Sequence, residues 1–271
     1  MGTLPYRDAS GEVVVRADLS NQEYHSLPSL SSTGAKTFLD APAKYVWERS
    51  QPHEPTRFMS MGTAIHSAVL EDSKDVVCVE ATSWRTKAAK EEKEAIEATG
   101  KVALLAADYD KLQDLRDAVF AHPIAHDLLS APDGVRERSY LWTDLETDVD
   151  MRARPDLYVP GRAVVDLKTT SMGADAHSFI KAIAQRRYFL QAAWYLNAVH
   201  LGELDDPDFV WIVVETNPPY LTAVYTLNLM GLDRGFELMD EALTEFRAAQ
   251  LLDYWPGYDA GIQELVLPSW A

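Results

Sequence analysis

Asp156, Asp166 and Lys168 stand on either side of a Pro160-Gly161 turn in the stretch RARPDLYVPGRAVVDLKTT, residues 152–170. Two carboxylates and an ammonium group at this spacing suit hydrolysis of a phosphodiester. The attacking water must lose a proton and the leaving oxygen must be neutralised, and one or two Mg²⁺ (or Mn²⁺) ions held by hard carboxylate oxygens do both. Lys168 would orient the water and offset charge developing at phosphorus. It is a poor free base, because adjacent carboxylates favour its protonated form. The three-residue [D/E]-x-K signal is weak by itself, since it recurs at Asp72-Ser73-Lys74 and Glu91-Glu92-Lys93. An ordinary charged strand end is its plain reading. The central copy is set apart by an upstream Asp in a paired strand, by the apolar run ahead of Lys168 and by the helix that follows.

Such a site needs strands that bring the acids to one face. From Arg136 the apolar period is two, and RERSYLWT, DVDMRARPDLYVP and RAVVDLKTT read as three consecutive strands, the last two joined by Pro160-Gly161. Side chains alternate across a strand, so Asp166 and Lys168 share a face while Leu167 points the other way. Loop length decides whether Asp156 joins them. A two-residue loop sets Asp156 opposite Val165, on the wrong face; a three-residue loop that includes Arg162 sets it opposite Asp166. The three-residue loop is expected, with Gly161 or Arg162 near the left-handed region.

Helices must cover this sheet. Ser32 or Thr33 is a plausible N-cap for a helix ending near Asp40-Ala41-Pro42. MGTAIHSAVLED reads as a helix opening near Gly62, with His66 one turn inside. A lone histidine is more often structural than a ligand. The stretch SWRTKAAKEEKEAIEATGK is charged and reads as a solvated helix or loop, and a further helix spans roughly Ala107 to Phe120. SFIKAIAQRRYFLQAAWYLNAVHLG reads as one helix stopped at Gly202, and it puts Gln191 and Tyr195 on one face. The plain reading of that face is packing on the sheet. DFVWIVVET and LTAVYTLNL are two more strands, and a final stripe of Leu232, Phe236, Met239, Leu243 and Phe246 is expected to pack on the sheet. Residues 1 to about 20 read as a polar lead-in.

Composition sets bounds. At 271 residues and 47% apolar content, the chain can bury a substantial core, and one domain is favoured over two. No apolar run approaches the roughly 20 residues that cross a bilayer, and the first residues lack a secretory pattern, so a soluble, cytoplasmic protein with no membrane role is expected. The single Cys78 excludes an intramolecular disulfide and an all-cysteine metal site within the chain, leaving oxygen and imidazole as metal ligands. A net charge of −17 argues against a protein that coats nucleic acid generally. The charge is uneven, however. Residues 136–187 carry +1 and the remainder −18, so an acidic exterior around a more basic lining could confine DNA to one channel.

Taken together, G-x-x-x-H at Gly62 and His66, P-D at Asp156, D-L-K at Asp166 to Lys168 and Q-x-x-x-Y at Gln191 and Tyr195 resemble the RecB-like branch of the PD-(D/E)XK nuclease superfamily. The nearest resemblance is to the catalytic domain of RecE-type exonucleases (exonuclease VIII). YHSLPSLSSTGAK, SWRTKAAKEE, FVWIVVETNPPYLTAVYTL and YWPGYDAGIQELVLPSW extend it over nearly the whole chain. The resemblance implies an α/β (α+β) restriction-endonuclease-like core, with a central mixed five-stranded sheet flanked by helices. One domain would span 1–271: a mainly helical part at 1–135, the catalytic sheet at 136–230, and a C-terminal helix and tail at 231–271.

By the same resemblance, His66, Asp156 and Asp166 are metal ligands, with the Leu167 carbonyl as a further oxygen, and Lys168 is the catalytic lysine. Gln191 and Tyr195 shape the site or contact DNA, and Glu137 matches an acidic position on the first core strand. Arg154, Arg186 and Arg187 are candidate DNA contacts, and Trp84, Arg85 and Lys87 are candidates for separating the strands. The family implies 5′ to 3′ digestion of one strand from ends of double-stranded DNA, a homo-oligomeric ring (trimer or tetramer), and a single-strand annealing partner of the RecT type. It also implies a phage or prophage origin in a bacterial host cell. None of these follows from composition or spacing. A related endonuclease, a single-strand nuclease, or a non-catalytic DNA-binding protein that keeps the fold stands as the alternative.

Overall fold

The computed structural model describes residues 4–51, 61–70, 76–259, 261–264 and 266–267; for 61–63 it describes the backbone alone. The chain opens with β1 (Val14–Arg16), α1 (Asn21–Ser26), α2 (Ser32–Asp40) and α3 (Pro42–Ser50). Next come α4 (Met61–Leu70), β2 (Val76–Val79), α5 (Lys87–Glu97), β3 (Val102–Leu105), α6 (Ala106–Ala121) and α7 (Pro123–Leu129). The strands β4 (Val135–Arg136), β5 (Ser139–Thr143), β6 (Asp150–Ala153), β7 (Leu157–Val159) and β8 (Ala163–Thr170) follow. The chain continues through α8 (Ala176–Gln185), α9 (Tyr188–Glu203), β9 (Asp208–Glu215), β10 (Thr222–Tyr225) and α10 (Leu229–Leu252).

The central sheet has five strands in the order β10-β9-β8-β7-β4. Only β8 and β9 are parallel, which makes it the mixed sheet expected. A parallel pair needs a long crossover, and α8 and α9 supply it. Side chains of β8 alternate between two hydrophobic clusters. Ala163, Val165 and Leu167 join α4, α6 and α7, whereas Val164 joins α9, α10 and α2. Helix α9 carries apolar residues on every side and is buried from Leu190 to Val199 except at Tyr195. A helix of that composition must be covered on every side.

Several expectations are corrected by the fold. Helix α2 is capped by Ser31, whose hydroxyl accepts from the Gly34 amide, and not by Ser32 or Thr33. The stretch 150–159 is two strands, because Pro155 breaks the ladder; β5 and β6 leave the central sheet and form a three-stranded sheet in the order β1-β5-β6, and β1 lies inside the expected polar lead-in. The long helix after β8 is two helices, split where Arg187 takes a left-handed conformation at φ 48°. It continues through Gly202 and stops at Leu204, whose left-handed residue closes onto the His200 carbonyl. The terminal stripe packs on α9 and α2, since α9 already occupies that face of the sheet. The charged stretch after Trp84 forms α5, capped by Thr86. No described helix is long and apolar enough to cross a membrane.

Candidate active site

The β7–β8 hairpin closes with Val159 opposite Ala163 and Leu157 opposite Val165. Three residues, 160–162, form the loop, with Gly161 at φ 66°. This is the expected turn, and one step further along the same register Asp156 falls opposite Asp166. A side chain at Gly161 would be strained, because a Cβ disfavours the left-handed region. Asp156 lies just outside β7, beyond the end of the ladder, and its Oδ2 accepts from the Leu167 amide at 2.7 Å. The hairpin register and this bond together set the two acids on the α9 side of the sheet.

Asp166 is 1% exposed and is held from two directions. Gln191 Nε2 donates to its Oδ1 at 3.0 Å, and the Lys168 ammonium lies against its Oδ2 in a close ion pair. Burial works against the charged form of Lys168, but Asp166 and Asp156 outweigh it and hold its pKa above the ordinary lysine value. Lys168 is therefore a stable cation in the unbound protein. For Asp156, burial dominates and raises the pKa; nearby Asp166 adds to this, while His66 and Lys168 oppose it.

His66 reaches the site from α4, in the layer on the opposite face. Its Nε2 is 2.8 Å from the Leu167 carbonyl oxygen, and its Nδ1 is 3.5 Å from Asp156 Oδ2. The ring thus meets two of the groups named with it as ligands. Asp166 is turned instead toward Gln191 and Lys168, and among the described residues no three His, Cys, Asp or Glu side chains converge as they stand. Asp166 Oδ2 is nevertheless buried without a hydrogen bond of good geometry. Two carboxylates, a backbone carbonyl and an imidazole make a donor set suited to a hard divalent cation such as Mg²⁺ or Mn²⁺.

Gln191 and Tyr195 do not serve merely as sheet packing. Gln191 Nε2 also lies 3.2 Å from the Tyr195 hydroxyl, and burial raises the pKa of that phenol well above its usual value, so Tyr195 stays protonated. Two residues the sequence reading passed over belong to this cluster. Lys36 of α2 donates to Gln191 Oε1 at 3.1 Å, and burial together with Lys168 pulls its pKa down to about 7. Tyr188 carries both ammonium groups on its ring, with Lys36 at 5.3 Å and Lys168 at 4.9 Å from the centroid. Lys36 lies in a stretch whose likeness to the family was noted, yet a single lysine on an amphipathic helix has no signature of its own.

Beside the site lies a pocket of about 520 Å³, lined in part by Tyr195, Glu137, Arg49, Arg152 and Arg154. Arg152 and Arg154 are 5% and 8% exposed, and burial lowers the pKa of each. Both stack over Tyr24, and their donors reach mainly carbonyls of the N-terminal segment: Arg152 to Leu27 and Ser29, Arg154 to Leu19. Among the described residues, Arg152 Nε has no hydrogen-bond partner. Arg152 lies in β6 and Arg154 immediately follows it. Glu137 sits at φ 50°, and its amide donates to the Asp156 carbonyl at 3.2 Å, so it touches the site through backbone.

The remaining candidates lie elsewhere. Arg187 pairs with Asp40 at 2.6 Å, and Arg186 is exposed at the end of α8. Trp84 lies under Lys93 and Lys87 pairs with Glu91, both local to α5, and Arg85 is exposed beside them. Of the other two [D/E]-x-K copies, Glu91-Glu92-Lys93 is helical, and Asp72-Ser73-Lys74 lies outside the described residues.

A family model described as a PDDEXK-like domain of unknown function (DUF3799) matches residues 31–266. No curated protein matches the chain. Among solved structures, a crystal structure from Eubacterium rectale described as a "putative exonuclease" is similar at a TM-score of 0.60 and 15% identity. It covers 88% of this chain and 86% of its own, a likeness of fold. With the family match running from α2 through the hairpin and α9 to the tail, the chain belongs to the PDDEXK-like domain family DUF3799, within the PD-(D/E)XK nuclease superfamily.

Proposed function

We propose that this protein is a divalent-metal-dependent DNA exonuclease that digests one strand of linear duplex in the 5′ to 3′ direction, leaving 3′ single-stranded tails for annealing-type recombination. The observation that carries the reading is the hairpin register that aligns Asp156 with Asp166, with Lys168 against one and His66 against the other. In such a site His66, Asp156, Asp166 and the Leu167 carbonyl would hold one or two Mg²⁺ or Mn²⁺ ions. When bound, the metal lowers the pKa of a water and neutralises the leaving oxygen. Lys168, cationic and nearly buried, binds the scissile phosphate and offsets the charge that grows on it. Gln191 keeps Asp166 oriented, and Tyr195 contributes a neutral hydroxyl.

The arginine pocket supports recognition of a DNA end. Buried guanidinium groups need anionic company, and a phosphate suits them by charge and geometry. Ring assembly as a trimer or tetramer and an annealing protein as partner are further parts of this proposal and rest on the family resemblance alone.

The test is Mg²⁺-dependent digestion of three duplexes: linear, covalently closed circular, and linear with both 5′ ends blocked. The exonuclease reading expects loss of the linear substrate only, with label released from 5′ ends. Cutting of the circle would replace it with an endonuclease. Release from 3′ ends, or preference for single strands, would reverse the polarity or the substrate. Binding without cleavage at any metal concentration would leave a non-catalytic DNA-binding protein.

A further inference from the structure

Gln191 is 8% exposed and has three polar neighbours that constrain its amide in different ways. The Lys36 amino group donates to the amide in either protonation state, the carboxylate of Asp166 can only accept, and Tyr195 can do either. One orientation satisfies all three: Oε1 toward Lys36 at 3.1 Å, and Nε2 toward Asp166 at 3.0 Å and Tyr195 at 3.2 Å. The flipped amide would set Oε1 against a carboxylate oxygen and lose the bond that Lys36 donates. Lys36 comes from α2, whereas Gln191 comes from α9, so the contact ties the N-terminal helices to the catalytic sheet.

Building on the metal-dependent reading above, we infer that Lys36 is a positioning residue for the metal-binding carboxylate, acting through a chain that runs Lys36 to Gln191 to Asp166. Anchoring Gln191 Oε1 directs its NH₂ onto Asp166 Oδ1 and leaves Asp166 Oδ2 as the oxygen turned to Lys168 and to a cation. Lys36 also rests against the Tyr188 ring, which Lys168 shares, so its ammonium is held in place by a second contact. Without Lys36 the buried Oε1 has lost a charged donor, the amide can rotate, and Asp166 is no longer held in one rotamer. Groups that orient a metal ligand from outside the coordination sphere change affinity or activity by about 10–100-fold.

The experiment is a double-mutant cycle on Mn²⁺ affinity, read by titration calorimetry on the full chain with Lys36→Met, Gln191→Met and the double variant. Lys36→Met is expected to weaken Mn²⁺ binding about tenfold, at the low end of that range. Lys36→Arg, which keeps a cationic donor, should recover most of the loss. In the Gln191→Met background, Lys36→Met should change affinity less than about twofold, because the chain is already cut. Equal Mn²⁺ affinity in wild type and Lys36→Met overturns the inference, as do losses that multiply independently. So does a raised KM for duplex with unchanged Mn²⁺ affinity, which would make Lys36 a direct phosphate contact. If Lys36→Met is unfolded by circular dichroism, Lys36→Gln takes its place in the cycle. Wild-type protein that binds no Mn²⁺ sinks the metal-dependent reading and this inference with it, whereas unchanged binding by the variant sinks the inference alone.

Discussion

His66 Nε2 lies 2.8 Å from the carbonyl oxygen of Leu167, although the two residues belong to elements 101 positions apart in the chain. The same ring faces Asp156, and the Leu167 amide donates to Asp156, so the backbone of one residue and a single imidazole fix the position of one acid. Because the contact joins α4 to the strand that carries Asp166 and Lys168, it registers the helical layer against the β7–β8 hairpin. Replacing His66 with Ala should lower Mg²⁺-dependent cleavage by at least about 100-fold, as expected for loss of a metal ligand or a group that orients one. Supplying Mn²⁺ at high concentration should recover part of this. Unchanged cleavage by a folded variant would make the histidine structural.

Lys168 should be the residue least tolerant of change. Removing one preorganised charge that stabilises a transition state costs about 10²–10³ in kcat. Lys168→Ala is expected to show that loss with little change in KM for duplex. Arg should not substitute, since its planar fork does not reproduce a point charge fitted between Asp166 and the Tyr188 ring. Single-turnover digestion of an end-labelled duplex measures both quantities.

Asp156 makes a prediction about pH. Its pKa is raised in the folded protein, chiefly by burial, so its ionisation opposes folding: stability is greatest below the ordinary carboxylate range and declines as pH rises through the higher folded value. Asp156→Asn keeps an acceptor for the Leu167 amide without the charge. At neutral pH, with chelator present, it should be more stable than wild type by about 1 kcal/mol, the usual scale of a point substitution, and should lose cleavage. The gap should close near pH 4. Denaturant unfolding at several pH values checks the sign, and a less stable variant at pH 7 would contradict it.

Gly235 tests how α10 supports the site. A Cβ at this position would come within 2.3 Å of the Phe189 carbonyl oxygen on α9, two residues before Gln191. Backbone cannot yield as a side-chain tip would, so Gly235→Ala must push α10 away from α9. A loss of about 1–3 kcal/mol is expected, the range for overpacking, together with weaker metal binding through a displaced Gln191. Gly11→Ala is a poor control for this, because Gly11 lies at φ 91°. Ser178→Ala, on the other crossover helix, serves better, and urea titration of both variants gives the comparison.

Much of the fold was legible because it rests on local physics. Alternation in AVVDLKTT follows from strand geometry, and the Pro160-Gly161 turn had to place a residue in the left-handed region, which glycine does at φ 66°. These two features sufficed to align Asp156 with Asp166. The errors came where distant parts of the chain intervened. Nothing local marks Arg187 as a helix break, or shows that the strand around Arg152 leaves the central sheet to pair with β5 while β5 pairs with β1. The stripe on α10 looked like a sheet-packing face because a helix's partner cannot be read from its own periodicity.

The amino-acid order alone determined the kind of chemistry: oxygen and imidazole ligands, one lysine two places after an acid, and a hairpin able to align them. Tertiary structure decided which groups complete the site. Lys36, Tyr188 and the paired arginines come from elements other than the strand of Asp166, and their roles arise from packing; burial lowers the pKa of Lys36, Arg152 and Arg154 and leaves few ways to satisfy each polar atom. A lysine's place in a site depends on what the fold sets against it, and that is a property of packing between layers.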